Sequence, residues 1–251
     1  MNIKKTAFRG GIVLSATVMV VCGGSGGGGN SKAESGSFTD PRDKQKYRTV
    51  NIGGQTWMSE NLNYEPEISY DESNWCYDGD ESKCKAYGRL YDWETAKAAC
   101  PSGWRLPAND DWEKLIQAAG DKRFAGGKLK SINGWRLTTY DVWRNGFGGA
   151  VQKGRTDEVW RTLFNVFEAV GQKLNLGGNG TDEFGFSAMP GGYRYSDGGF
   201  LGVRSLGYWW SATESGASNA YYRGIYYDRG SVDERNYYRG YGFSVRCVAQ
   251  D

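Results

Sequence analysis

Residues 47–59, YRTVNIGGQTWMS, read as two short strands meeting at Gly53-Gly54, a pair suited to a two-residue hairpin because glycine tolerates positive φ. The pattern then changes period. In DWETAKAAC, residues 92–100, Trp93, Ala96 and Ala99 or Cys100 fall at helical spacing, and Pro101 ends the run. LPANDDWEKLIQAAG, residues 106–120, predicts a second helix with Asn109 as N-cap and Asp110 and Asp111 against the positive end of the dipole. Trp112, Leu115, Ile116 and Ala119 form its apolar face, and Gly120 terminates it. A third helix is expected in TDEVWRTLFNVFEAVGQKL, residues 156–174, where Val159, Leu163, Val166 or Phe167, and Val170 share a side that Trp160, Phe164 and Phe167 widen. From Thr181 onward, glycine-separated short runs alternate apolar and polar residues. GFSVRCV, residues 242–248, sends Phe243, Val245 and Cys247 inward and Ser244 and Arg246 outward.

One stretch resists the usual economy of a water-soluble surface. YYRGIYYDRGSVDERNYYRGYGFSVRC, residues 221–247, holds three Tyr-Tyr pairs and a seventh tyrosine. Neighbouring residues of a strand face opposite sides of a sheet, so each pair should send one ring inward and one toward water. Trp209 and Trp210 should divide in the same way, whereas Trp104 and Trp135 read as packing residues.

The 38 glycines, the 15% aromatic content and the scarcity of Leu and Ile fit a loop-rich α+β chain with many short strands, and 251 residues suffice for one well-packed domain. A net charge of +2 from scattered residues gives no footprint for nucleic acid. The absence of histidine removes Ser-His and Cys-His nucleophile pairs, histidine general bases and histidine-containing zinc sites. No cofactor is expected. Lys4, Lys5 and Arg9 precede the apolar run GIVLSATVMVV, the layout of a secretory signal and too short to span a bilayer. Cys22 follows, then a Gly/Ser-rich tether over 23–38, which together predict export and a lipid anchor at Cys22. Val21 departs from the small residue usual before such a cysteine.

Cys76, Cys84, Cys100 and Cys247 remain, an even set in an exported chain, so a disulfide framework is expected rather than metal or redox chemistry. Of the three connectivities, Cys76–Cys84 with Cys100–Cys247 is favoured. The first closes a short loop and the second ties a helix to the last strand. Zinc would want CxxC spacing, and DGDESK from Asp78 lacks the spacing and terminal Glu of an EF-hand.

DPRDKQKYRTVNIGGQTWMSENLNY, WCYDGDESKCKAYGRLYDWETAKAACPSGWRLP, GTDEFGFSAMPGGYR, YWWSATE and YGFSVRCV, in that order, resemble the Fibrobacter succinogenes major paralogous domain family across residues 39–251, with 137–178 as an insertion. That resemblance implies an exported, commonly lipid-anchored protein, in the outer membrane or at the cell surface, and brings no established activity. GWRLPANDDWEKLIQAAG, YWWSATE and GFSVRCV are more distantly similar to formylglycine-generating-enzyme-like domains. This implies a C-type-lectin-like fold, in which a helix cysteine is commonly bridged to the last strand, in support of Cys100–Cys247. The reactive cysteine pair of the enzyme branch and the EPN and WND calcium motifs of the sugar-binding branch have no counterpart in this sequence. The expectation is a binding module that recognises carbohydrate or cell-wall polymer, with Tyr195, Trp210, Tyr222, Tyr227 and Tyr238 as ligand-contacting residues. Tyr combines a rigid amphipathic ring with low entropy cost, and the neighbouring Gly and Ser let the backbone adapt. The alternatives are a surface protein that binds other proteins and a polysaccharide-active enzyme working through two carboxylates.

Overall fold

The computed structural model describes residues 34–66, 73–136 and 178–250. The signal segment, Cys22, the tether as far as residue 33 and the helix expected at 156–174 lie outside those residues, as does the insertion 137–178 apart from residue 178. The described residues form β1 (Ser35–Thr39), β2 (Lys46–Ile52), β3 (Gln55–Met58), β4 (Asn74–Trp75), α1 (Glu81–Tyr87), β5 (Leu90–Tyr91), α2 (Trp93–Ala99), β6 (Trp104–Arg105), α3 (Asn109–Ala119) and α4 (Lys122–Leu129). After the insertion come β7 (Gly191–Arg194), β8 (Phe200–Val203), β9 (Leu206–Glu214), β10 (Asn219–Tyr226), β11 (Asp233–Tyr238), β12 (Phe243–Ser244) and β13 (Val248–Ala249). The architecture is α+β.

Two sheets organise these strands. One runs β1-β2-β3-β13-β6, and the other runs β11-β10-β9-β12-β5-β4 with the β7–β8 hairpin joined to it through β9. The β2–β3 hairpin turns where expected: Gly53 and Gly54 have φ of 62° and 79°, the double positive φ that a two-residue turn of this hand requires. α2 also matches its expected span. Trp93, Ala96 and Ala99 are buried, and the Asp92 carboxylate caps its first turn by accepting from the Thr95 N–H at 2.7 Å.

α3 corrects one expectation. Asn109 is the first helical residue rather than the N-cap, and the cap position belongs to Ala108. The orphan N–H of Ala108 donates to Asp111 Oδ2 at 2.7 Å, while Asn109 Oδ1 is taken by Ser211 Oγ at 2.8 Å. α1 and α4 follow the same capping logic with Asp80 and Asp121 accepting from Ser82 and Arg123 N–H groups. Asp80 is the acidic residue of DGDESK that starts α1. In α4, Gly126 is dictated by approach: a Cβ there would stand 2.4 Å from the Ser231 carbonyl oxygen.

Both disulfides form as favoured, Cys76–Cys84 and Cys100–Cys247, with Cα separations of 5.0 and 5.9 Å. The second joins the end of α2 to the segment between β12 and β13.

The buried residues gather in two clusters on opposite faces of β9 and β10. One contains Trp57, Trp112, Leu115, Ile116, Trp135, Trp209 and Ile225 beneath α3; the other contains Tyr91, Trp93, Ala96, Trp210, Tyr222, Phe243 and Val245 beside α2. This overturns the expected division of Trp209 and Trp210 between core and surface. Their indoles do point to opposite faces, but each face is covered, so both are fully buried. Their N–H groups reach Asn61 Oδ1 at 2.9 Å and the Tyr91 carbonyl at 2.8 Å. Arg246 departs from its outward parity for a related reason. Both sides of the 243–248 segment are buried, and the guanidinium is enclosed, donating to the carbonyls of Met58 at 3.1 Å and Phe186 at 2.5 Å and to Asn61 Oδ1 at 2.7 Å. Desolvation pulls its pKa down to about 9.

Candidate functional site

The tyrosines of the C-terminal third converge on the face of β9 and β10 opposite α3. Register explains how. Tyr222 faces Trp210 across the β9–β10 ladder and Arg235 across the β10–β11 ladder, and directly opposed residues share a face. Stepping by two along each strand adds Tyr226 on β10, Tyr208 on β9 and Tyr237 on β11. Gly224 pairs directly with Tyr208, and a Cβ at that glycine would stand 3.3 Å from the ring. The missing side chain leaves room for the ring.

Phe243 of β12 forms the floor. Its ring lies 4.2 Å from Trp210, 4.8 Å from Tyr222 and 5.4 Å from Tyr208. Tyr193 from β7 stacks on Tyr208 at 5.2 Å, and Tyr241, in the turn before β12, packs on Tyr237 at 4.4 Å. Together Tyr193, Tyr208, Tyr222, Tyr226, Arg235, Tyr237, Tyr241 and Phe243 line a cleft of about 200 Å³. Tyr237 is 42% exposed at its mouth.

Three of the phenols, Tyr208, Tyr222 and Tyr241, are held in the neutral form. Burial, then the neighbouring phenols, push Tyr208 and Tyr222 well above the ordinary tyrosine value. Desolvation and a hydrogen bond with Tyr237 push Tyr241 up to about 12. Hydroxyl pairs run along the wall, Tyr193 to Tyr195 at 2.9 Å and Tyr208 to Tyr226 at 3.4 Å. Such a surface offers ring faces and neutral hydroxyls that both donate and accept.

Of the five residues expected to contact ligand, the structure brings Tyr222 to the cleft wall and Tyr195 to its edge, 5.0 Å from Tyr193 and 5.7 Å from Tyr241. The other three lie elsewhere. Trp210 is sealed under Phe243, with no face left to offer. Tyr227 packs against the α3-side cluster, and its carbonyl accepts from Lys130 Nζ at 3.0 Å. Tyr238 is 51% exposed on the other side of β11, opposite Asn219. A parity signal was available: Tyr222 and Tyr226 are separated by an even number and share a face, whereas Tyr222 and Tyr227 cannot on one regular strand. Tyr193 and Tyr208 come from other segments, and Tyr241 lies in the turn between β11 and β12, so strand parity carried no signal for any of the three.

Among the described residues, Cys76, Glu81 and Cys84 are the grouping whose ligand atoms lie close enough for a metal, within 4.8 Å of one another. The two sulfurs are bonded to each other and supply no thiolate. No described helix is long and apolar enough to cross a membrane.

No curated protein and no solved structure matches the chain. The family model for the Fibrobacter succinogenes major domain matches residues 50–249, a span that includes both disulfides, the whole tyrosine cleft and, apart from Tyr47, the buried residues of both cores. The chain is a member of that family.

Proposed function

We propose that this chain is an exported, lipid-anchored binding module with a lectin-like fold that recognises carbohydrate through the tyrosine cleft. The observation that carries the reading is the cleft itself: rings from β7, β9, β10 and β11 converge on one floor residue, with Tyr237 and Tyr241 at the opening. Aromatic rings present an apolar face for the C–H side of a sugar ring, and their hydroxyls serve its polar rim. Short strands with peripheral helices, and a disulfide from a helix end to the last strands, support the lectin-like part. The signal-like N-terminus with Cys22 supports the anchor, which radiolabelled palmitate incorporation into wild type and C22A would check.

Affinity electrophoresis of the disulfide-intact domain in gels containing cellulose derivatives, xylan or pectin tests the central claim. Retardation by at least one polymer is expected. The double variant Tyr237→Ala, Tyr241→Ala should lose about 2 kcal/mol or more of binding, roughly thirtyfold, if these rings behave as a recognition hot spot. Retardation unchanged in a folded double variant would defeat the reading. Turnover of a retarding polymer would replace it with the enzyme alternative.

A further inference from the structure

Arg235 is the charged member of the described cleft lining. β11 sets it beside Tyr222, and its side chain remains 55% exposed. One nitrogen is oriented by Asp233, with Nη2 to Oδ2 at 3.4 Å, longer than the roughly 2.7–2.9 Å of a tight charge-assisted bond. Asp233 is divided among several neighbours: Ser231 Oγ donates to its other oxygen at 3.3 Å, and Arg229 Nη1 stands 3.8 Å away. Arg229 in turn lies 4.8 Å over the Tyr226 ring and 3.7 Å from Asp228. Among the described residues, Nε and Nη1 of Arg235 donate to no hydrogen bond. The cleft therefore combines ring faces with a planar donor edge whose capacity is largely unspent.

We propose that the cleft selects a carboxylated sugar, a uronic acid residue within an acidic polysaccharide, with the rings against the sugar and the Arg235 fork on the carboxylate. This rests on the glycan-binding reading above. A neutral sugar offers the guanidinium only uncharged hydroxyl and ring oxygens as acceptors. A carboxylate gains two parallel charge-assisted bonds whose geometry the fork matches. At about 200 Å³ the cleft is smaller than the roughly 300–1,000 Å³ pockets that enclose drug-sized ligands, which suits one ring of a chain.

The test uses the disulfide-intact domain, with polygalacturonate, the same polymer fully methyl-esterified, neutral xylan and dextran sulfate as probes. Polygalacturonate should bind about tenfold or more tightly than its ester, and more tightly than dextran sulfate, by calorimetry. R235Q should bring the acid down to the level of the ester with an unchanged melting temperature. R235K should recover only part of the difference, because an ammonium keeps the charge and loses the fork. Equal binding of acid and ester, a preference that survives R235Q, or dextran sulfate binding as well as polygalacturonate would each overturn selectivity for uronic acids. Should neutral xylan bind as well as the acid, only this inference falls; should no glycan bind, the proposed function falls with it.

Discussion

Arg223 and Arg235 stand on neighbouring strands of the same ribbon, on opposite faces, and their surroundings could hardly differ more. Arg223 is fully buried under α3, with Glu234 at 2.5 Å, Glu113 at 3.3 Å and Asn109 Oδ1 at 3.1 Å. Burial still draws its pKa down, against the pull of those two carboxylates. Arg235 is half exposed and loosely held by a shared carboxylate. One face commits its guanidinium to two carboxylates and an asparagine that tie the helix to the sheet, with only Nε left without an acceptor. The other keeps its guanidinium in reserve, beside tyrosines that hydrogen-bond chiefly to each other. A face built for stability pairs its buried charge with fixed carboxylates, whereas one suited to recognition leaves an exposed charge loosely held for a partner.

Four measurements would break or sharpen this contrast. The largest effect should come from the bond that secures both faces. Replacing Cys100 and Cys247 with Ser opens a loop whose ends are 147 residues apart in sequence, and on the chain-entropy model costs about 5 kcal/mol in chemical denaturation. Trp209→Ala, on the helix face, should cost about 3–5 kcal/mol through the cavity it leaves, whereas Tyr237→Ala, at the cleft mouth, should cost about 1 kcal/mol or less. Equal losses would mean that the cleft is as much a core as the helix face. Arg223→Leu should cost about 2 kcal/mol, since Glu113 and Glu234 are 40% and 33% exposed and water can reach them once the guanidinium is gone, while Arg235→Leu should stay within about 0.5 kcal/mol.

The smallest effect is a titration. Unfolded tyrosine ionises near its ordinary value of 10.0, while the fold holds Tyr208 and Tyr222 protonated well beyond it and Tyr241 up to about 12. Above pH 10 the unfolded chain therefore binds fewer protons than the native one. These groups contribute stability that is intact below pH 10 and is lost as pH rises through their folded values. Lys130, lowered by burial to about 8, acts in the opposite sense between pH 8 and 10.5, favouring the fold as pH rises. Tyrosinate absorbance isolates the phenols from that opposing term. Comparison with Y208F and Y222F isolates these two rings, whose tyrosinate signal should stay dark until the chain unfolds; ionisation of either near pH 10 would refute its burial.

Local elements were legible where one segment decides its own state. The Gly53-Gly54 turn and the α2 stripe of Trp93, Ala96 and Ala99 need only their own residues, and the structure shows both. What failed was inference about covering layers. Alternation in 242–248 tells which way Phe243 and Arg246 point, not that both directions are roofed, so Arg246 and Trp210 read as outward and are enclosed. α4 was missed because Gly126 and Gly127 argue against a helix, and the carbonyls that demand Gly126 come from residues 230 and 231. The cleft was legible as an excess of tyrosine and illegible as a set of residues, because its walls come from five separate segments whose register local sequence does not declare.

The order in which the polypeptide becomes available has its own consequence. β13 fills the gap between β3 and β6 in one sheet, and β12 fills that between β9 and β5 in the other. Neither sheet is continuous until residues 243–249 arrive, so a chain emerging N-terminus first cannot complete either sheet until almost its end. Closure then requires distant partners to meet, the slow regime of high contact order. Late closure of both sheets would suit the export proposed above, because the fold cannot be completed before its C-terminal strands are available.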